Sequence, residues 1–441
     1  MAMPLLERPV RALFSPLERR IGAGKAARLY ALADQGSSGI ANIIAFALLG
    51  RALPTAEFGA IGMMIGVHYF IAGFHRSAVV LPFTTDHRAG PEDVSARAEN
   101  SAWWWLGIVL TLLLSLATGL AAFLVGIAGQ TMPSWRWLAT PLLLAALITP
   151  AMLLWEFARR WLYKIERADM VSICSLAYFL LLPTVAWWAS RHAPSAFAGA
   201  AAWIAASFGA LLIALPTLAP AAPDRPVLAR LVRDNRAHAS WLAATNLPYA
   251  VYSSASVVVL IGLLVGSVAA AVFSAARTLT NPAMSIVTAI DSIDKPRAAR
   301  AFAQDGMAGL RSVVRRSRVS IALATGLYLG LVALFATQLI AFVFKGHYAG
   351  LEREVRLLAL GFFLFGLNLP SETMLIVLRA GRTMLTVRTV TALATIAALA
   401  IGATHGVAGM AMAFAATQAG NFVLLRLVEA RASRRYGSMP A

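Results

Sequence analysis

The sequence predicts an all-α polytopic membrane protein, with about 12 transmembrane helices in two parallel six-helix bundles and both termini cytoplasmic. Three observations predict it. Hydrophobic residues make up 59% of the 441 residues and charged residues only 13%, with a mean hydropathy of +0.71, which excludes a soluble globular domain. Apolar stretches of about 20 residues, enough to cross about 30 Å of hydrocarbon as helix, follow one another from Leu29 to Val428. The basic residues, finally, fall on alternate loops.

The predicted spans are 29–50, 58–82, 101–127, 137–158, 169–190, 196–219, 239–263, 267–290, 319–343, 355–378, 384–403 and 406–428. With the N-terminus inside, the inward regions and their flanks hold 30 of the 38 Lys and Arg. The outward loops hold Arg51, Arg136, Arg191, Lys345, Arg353 and Arg356, which leaves Arg76 and Arg277 within helices. The excess of inward positive charge sets the orientation. It also accounts for the net charge of +18 without a nucleic-acid partner.

Residues 1–28 read as a retained cytoplasmic arm. Leu5, Val10, Leu13, Phe14, Leu17 and Ile21 alternate there with Arg8, Arg11, Arg19 and Arg20, the pattern of an amphipathic surface helix. The apolar run that follows is too long for a signal-peptide core. The first bundle is expected over 29–219, a basic, Pro-containing linker over 220–238, the second bundle over 239–428 and a tail over 429–441.

The halves repeat. Leu48-Leu49-Gly50 followed by Pro54-Thr55 parallels Leu260-Ile261-Gly262 followed by Gly266-Ser267, about 212 residues later. An even number of spans per repeat places the two halves parallel, a transporter layout.

Enzyme signatures are absent from the sequence. It has no phosphate-binding loop, no dinucleotide fingerprint and no Cys or His cluster at metal spacing, and its one cysteine, Cys174, lies in an apolar segment. No enzymatic activity, cofactor or metal is expected. The longest polar insert, 291–318, faces inward, so no outward catalytic domain is expected either.

Ionisable residues inside a membrane helix are costly and mark candidate sites. Arg277 lies about ten residues into its span, roughly 15 Å deep, beside Thr278, Thr280 and Asn281. Arg76 lies about 9 Å from the inner end of the second span, close enough to snorkel. His68 sits near the middle of that span and suits either proton coupling or hydrogen-bonded packing. Asp34, followed by Gln35, Gly36, Ser37 and Ser38, suits either cation coupling or pairing with an arginine. Glu372 lies in Asn368-Leu369-Pro370-Ser371-Glu372-Thr373, where Pro370 is expected to break the helix, and Arg76 or Arg277 could pair with either acid. Glu156 reads as interfacial.

Two stretches carry a family resemblance. Ala47-Leu48-Leu49-Gly50-Arg51-Ala52-Leu53-Pro54-Thr55-Ala56-Glu57-Phe58-Gly59 resembles the junction after the first helix of Wzx-type polysaccharide flippases. Leu378-Arg379-Ala380-Gly381-Arg382-Thr383 and His405-Gly406-Val407-Ala408-Gly409-Met410-Ala411-Met412-Ala413 resemble their closing segments, although Met410 and Met412 stand where small residues are usual. These flippases belong to the multidrug/oligosaccharidyl-lipid/polysaccharide (MOP, MATE-like) exporter superfamily. The motif residues themselves have structural tasks: Pro54 stops a helix, Glu57 favours the start of the next, and Gly59, Gly406 and Gly409 permit close turns.

The resemblance implies a flippase that carries a lipid-linked oligosaccharide across a bacterial inner membrane for surface polysaccharide biosynthesis. Membrane lipids, and polysaccharide polymerase or export proteins, would be its partners. In that reading Arg277, Arg76, Asn281 and Glu372 bind substrate, the arginines at the carrier phosphate, while Asp34 and His68 couple cations or protons. The alternatives are a cation-coupled drug exporter of the same superfamily, with acids in the cargo cavity, and a non-transporting scaffold for polysaccharide enzymes.

Overall fold

In the computed structural model the described residues are 23–85, 94–222, 224–253 and 256–437. Most of the expected N-terminal surface helix, and the end of the tail, lie outside them. Every regular element among the described residues is helical.

The first half contains α1 (Ala23–Ala52), α2 (Thr55–His75), α3 (Val94–Thr131), α4 (Ala139–Lys164), α5 (Ala168–His192) and α6 (Ala196–Leu218). A π-turn, Arg76–Val80, and a short turn of helix, Leu81–Thr85, prolong α2. Next come α7 (Arg225–Tyr252), α8 (Ser256–Val265), α9 (Ser267–Thr280), α10 (Pro282–Leu334), α11 (Ala336–Phe344), α12 (Glu352–Val377), α13 (Gly381–Ala403) and α14 (Gly406–Gly437).

Nine helices among the described residues are long and apolar enough to cross a membrane, and a tenth span arises if α7 and α8, bent by 57°, count as one. The sequence predicts 12, and two physical causes account for the difference. The helix α1 is 30 residues long but carries Asp34, Gln35, Ser37, Ser38 and Asn42. The expected span 267–290 is divided at Asn281, leaving α9 with 14 residues. The expected polar insert 291–318 is helical too, because α10 runs for 53 residues with a kink at Gly306 (φ 59°). The linker region is likewise helical from Arg225. Leu112, Leu113, Leu116, Leu120, Phe123 and Leu124 of α3 are exposed, a face suited to lipid rather than water. The protein is a multi-pass membrane protein.

The described chain forms two compact units, one up to Leu247 and the other from Pro248. Within the first, α4 packs on α2, α3 and α6, while α5 packs on α1 and α6. Within the second, α12 packs on α9, α10 and α14, while α13 packs on α8 and α14. The order of packing is the same in both, as an internal repeat requires.

Two turns make the repeat visible atom by atom. Phe58 N donates to Pro54 O at the start of α2, and 212 residues on Ala270 N donates to Gly266 O at the start of α9. After α4, Glu166 takes φ 59°, and 213 residues later Arg379 takes φ 53° after α12. The amides of Glu166 and Arg167 donate to Tyr163 O and Leu162 O; those of Arg379 and Ala380 donate to Ile376 O and Leu375 O. Both are left-handed helix stops that satisfy the final carbonyls.

Glu57 does more than favour its own helix. Its carboxylate accepts from Ala196 N at 2.7 Å and so caps the start of α6. At the α13–α14 hairpin a Cβ added to Gly402 would stand 2.6 Å from the Gly409 carbonyl oxygen. Helix propensity alone would make Gly402→Ala stabilising by about 1 kcal/mol. The backbone contact reverses the sign, and we expect a loss of about 1–3 kcal/mol. Thermal unfolding of the purified variant in detergent checks this; an unchanged or raised midpoint would contradict it.

Candidate functional site

Each unit has a polar centre, built in the first on α1, α4 and α5 and in the second on α10, α12, α13 and α14. In the first, Asp34 is fully buried on α1. It accepts from Tyr163 Oη at 2.8 Å and from the hydroxyl of Ser175, and Arg159 Nη1 lies 3.3 Å from its Oδ2. Arg159 also pairs with Glu156. Glu156 in turn holds Arg160 at 3.1 Å and lies 3.9 Å from Arg76. A buried carboxylate needs this many donors, because burial without them costs several kcal/mol.

Asp34 is thus paired with Arg159, not with Arg76 or Arg277 as the sequence suggests. Glu156 is the hub of the network rather than a plain interfacial acid. Arg76 joins it only at its edge, at the first residue of the π-turn, with its side chain 53% exposed. His68 is buried, and its Nδ1 lies 3.2 Å from Thr149 Oγ1. Since Thr149 donates its proton to Ala145 O, the histidine supplies the N–H of that bond.

In the second unit the hub is the polar segment of α12. Asn368 donates to Gln418 Oε1 at 3.2 Å. Ser371 donates to Glu429 Oε2 at 2.6 Å, and Glu372 accepts from Arg388 Nη2 at 2.8 Å. Thr373 donates to Asp291 Oδ1 at 3.1 Å. One segment thereby ties α12 to α10, α13 and α14. Arg318 and Arg426 complete the Glu429 site at 2.7 and 2.8 Å.

Two expectations change here. Pro370 does not break the helix, since α12 runs unbroken from Glu352 to Val377; the polar neighbours serve bonds between helices. Glu372 pairs with Arg388, not with Arg76 or Arg277, and Arg388 also lies 4.8 Å from the ring centroid of Tyr249, a cation–π contact.

Arg277 is 9% exposed within α9. The neighbouring hydroxyls are taken up by their own helix: Thr278 donates to Ser274 O at 2.8 Å, and Thr280 to Ala276 O and Arg277 O. Asn281 is half-buried at the α9–α10 junction, its amide donating to Arg277 O at 2.7 Å. The structure therefore joins Asp34 and Arg76 in one network through Arg159 and Glu156, but sets Arg277 and Asn281 on a different helix from Glu372.

Sequence reading missed Arg159, Arg318, Arg388 and Glu429. All four fall near predicted span ends, where charge reads as a loop flank. The helices continue past those ends, and a better signal was available: Arg388 lies seven positions beyond Gly381, two turns inside α13. Among the described residues no group of His, Cys, Asp and Glu could hold a metal ion.

No protein-family model matches the chain. No curated protein matches it significantly in sequence. Solved structures do match. One is a multidrug resistance MATE family transporter of the MOP superfamily in its inward-facing conformation, at TM-score 0.62 and 13% identity, covering 90% of this chain and 96% of that one. A MOP superfamily transporter from Pyrococcus furiosus, whose binding pocket of reverse polarity is taken to suggest a different function, matches at TM-score 0.59 and 16% identity, over 92% and 96%. A multidrug resistance MATE family transporter in its outward-facing conformation matches at TM-score 0.58 and 15% identity, over 94% and 97%. The fold is that of the MOP superfamily transporters.

Proposed function

We propose that this chain is an alternating-access transporter of a bacterial inner membrane that moves a polyprenyl-(pyro)phosphate-linked oligosaccharide from the inner to the outer leaflet. One observation carries the anionic cargo. The four buried carboxylates among the described residues, Asp34, Asp169, Glu372 and Glu429, each pair with an arginine. Among the described residues no buried acid is left over to hold a cationic drug. The motif resemblance at both ends of the repeat supports the same reading.

The physical task is to shield the sugar. Each hydroxyl taken into hydrocarbon without a partner costs about 2–7 kcal/mol. Two polar-centred helix bundles can substitute for water while the polyprenyl tail stays in lipid. Within the second unit Arg277 and Asn281 receive the carrier phosphate, and within the first the half-exposed Arg76 offers a separate cation to an anionic headgroup. Glu372 and Asp34, held by Arg388 and Arg159, act through those arginines, and His68 remains the candidate proton carrier. An inside-negative potential favours outward movement of the anion by about 2.3 kcal/mol per charge per 100 mV.

The test is the leaflet distribution of lipid-linked oligosaccharide in cells lacking the protein, read by access of an outer-face glycosidase. Accumulation on the cytoplasmic side, reversed by re-expression, is expected. An unchanged distribution with the glycan still made would instead favour a cation-coupled drug exporter, and a chain with fixed inter-bundle crosslinks would favour a scaffold.

A further inference from the structure

The second unit holds a cleft of about 560 Å³ between the first half of α10 and the C-terminal end of α12, lined by Lys295, Phe302, Thr373, Ile376, Val377 and Arg379, among others. We propose that this cleft is a binding site for the phosphate headgroup of an anionic membrane lipid, held by Lys295 and Arg379, with the start of the lipid chain along Phe302, Ile376 and Val377. The inference goes beyond the cargo reading and does not depend on it.

The chemistry of the wall is that of an amphipathic anion. Two cations line the cleft together with five apolar residues, Ala299 and Leu378 among them. Ile376 is 50% exposed, an apolar side chain left for something non-aqueous to cover. The distribution of Lys and Arg places this end of the helices on the cytoplasmic side. Basic pockets between helices on that side suit lipid headgroups, whereas a free phosphate would gain nothing from the apolar wall.

Arg379 is the more telling of the two cations. Its backbone is left-handed, at φ 53°, a conformation that favours Gly or Asn and costs other residues of order 1–3 kcal/mol. The turn does not demand a cation, because the repeat places Glu166 at the matching position with φ 59°. Among the described residues Arg379 makes no ion pair, so its charge is available. Lys295 is partly neutralised by Asp291 at 2.5 Å, and that carboxylate also accepts from Thr373. The net positive charge of the cleft therefore rests on Arg379.

The experiment titrates the purified full chain in detergent with dioleoyl phosphatidylglycerol, with phosphatidylcholine as the neutral comparator, and follows the first bound lipid by native mass spectrometry. Arg379→Asn removes the charge while keeping a residue that tolerates the turn, and Lys295→Gln tests the helix partner away from it. Arg379→Asn is expected to weaken the first phosphatidylglycerol site about fivefold, Lys295→Gln about twofold and the double variant about tenfold, with phosphatidylcholine unaffected and Arg379→Lys near wild type. Equal binding in the double variant and the wild type would overturn the proposal. So would displacement of the lipid by millimolar inorganic phosphate, which would make this a free-phosphate site.

Discussion

Arg159→Met is expected to lower the stability of the purified protein by about 3–5 kcal/mol. Asp34 is fully buried, and among the described residues Arg159 is its only cationic partner. Removal of the guanidinium leaves Asp34, among the described residues, with the Tyr163 and Ser175 hydroxyls. Glu156 loses a partner as well, though Arg160 and Arg76 remain near it. The cost comes mainly from stranding one carboxylate, so removing that charge should restore most of it. The double variant Asp34→Asn with Arg159→Met is therefore expected to be more stable than Arg159→Met alone, a coupling that unfolding midpoints in a double-mutant cycle measure. Additive losses would mean that the two side chains do not share a charge pair.

Arg277→Ala is expected to slow transport of the lipid-linked oligosaccharide by about tenfold to a hundredfold, the loss of one charge-assisted contact of about 1.5–3 kcal/mol. Arg277→Lys keeps the charge but not the planar fork, and its rate should fall between the two. The rate loss must appear in protein that elutes and unfolds as wild type does. A folded Arg277→Ala variant with an unchanged rate would remove Arg277 from the cargo path.

Much of this architecture is legible in the sequence, because lipid imposes a one-dimensional rule. A run of about 20 apolar residues must cross, and its backbone must bond internally. The Pro54 and Gly266 junctions revealed the repeat for a similar reason, since both stop a helix by local chemistry. The rule fails where a helix is polar or broken. The polar residues of α1 remove it from the apolar set, and Asn281-Pro282 divides a stretch that reads as continuous.

The polar centres were half legible. Asp34, Arg76, His68, Arg277 and Glu372 announce themselves as charges or a histidine in apolar surroundings. Their partners do not, because Arg159, Arg388 and Glu429 lie near the ends of hydrophobic runs and look like interfacial charges. Which acid meets which arginine depends on how helices far apart in sequence are packed. Asp34 and Arg159 are 125 residues apart, and only the packing of α1 and α4 around α5 and α6 brings such residues together. Pro370 misled for a related reason: a proline in a membrane helix is tolerated where neighbouring groups satisfy the backbone.

The most direct test of the transport claim is reconstitution. Purified protein in proteoliposomes loaded with lipid-linked oligosaccharide in both leaflets would be challenged with an external glycosidase, with and without an imposed membrane potential. The protected inner-leaflet pool is expected to become accessible at a rate that rises with protein and with a potential driving anions toward the enzyme, and that falls in Arg277→Ala. An inner pool that stays protected with folded wild-type protein under either potential would contradict it.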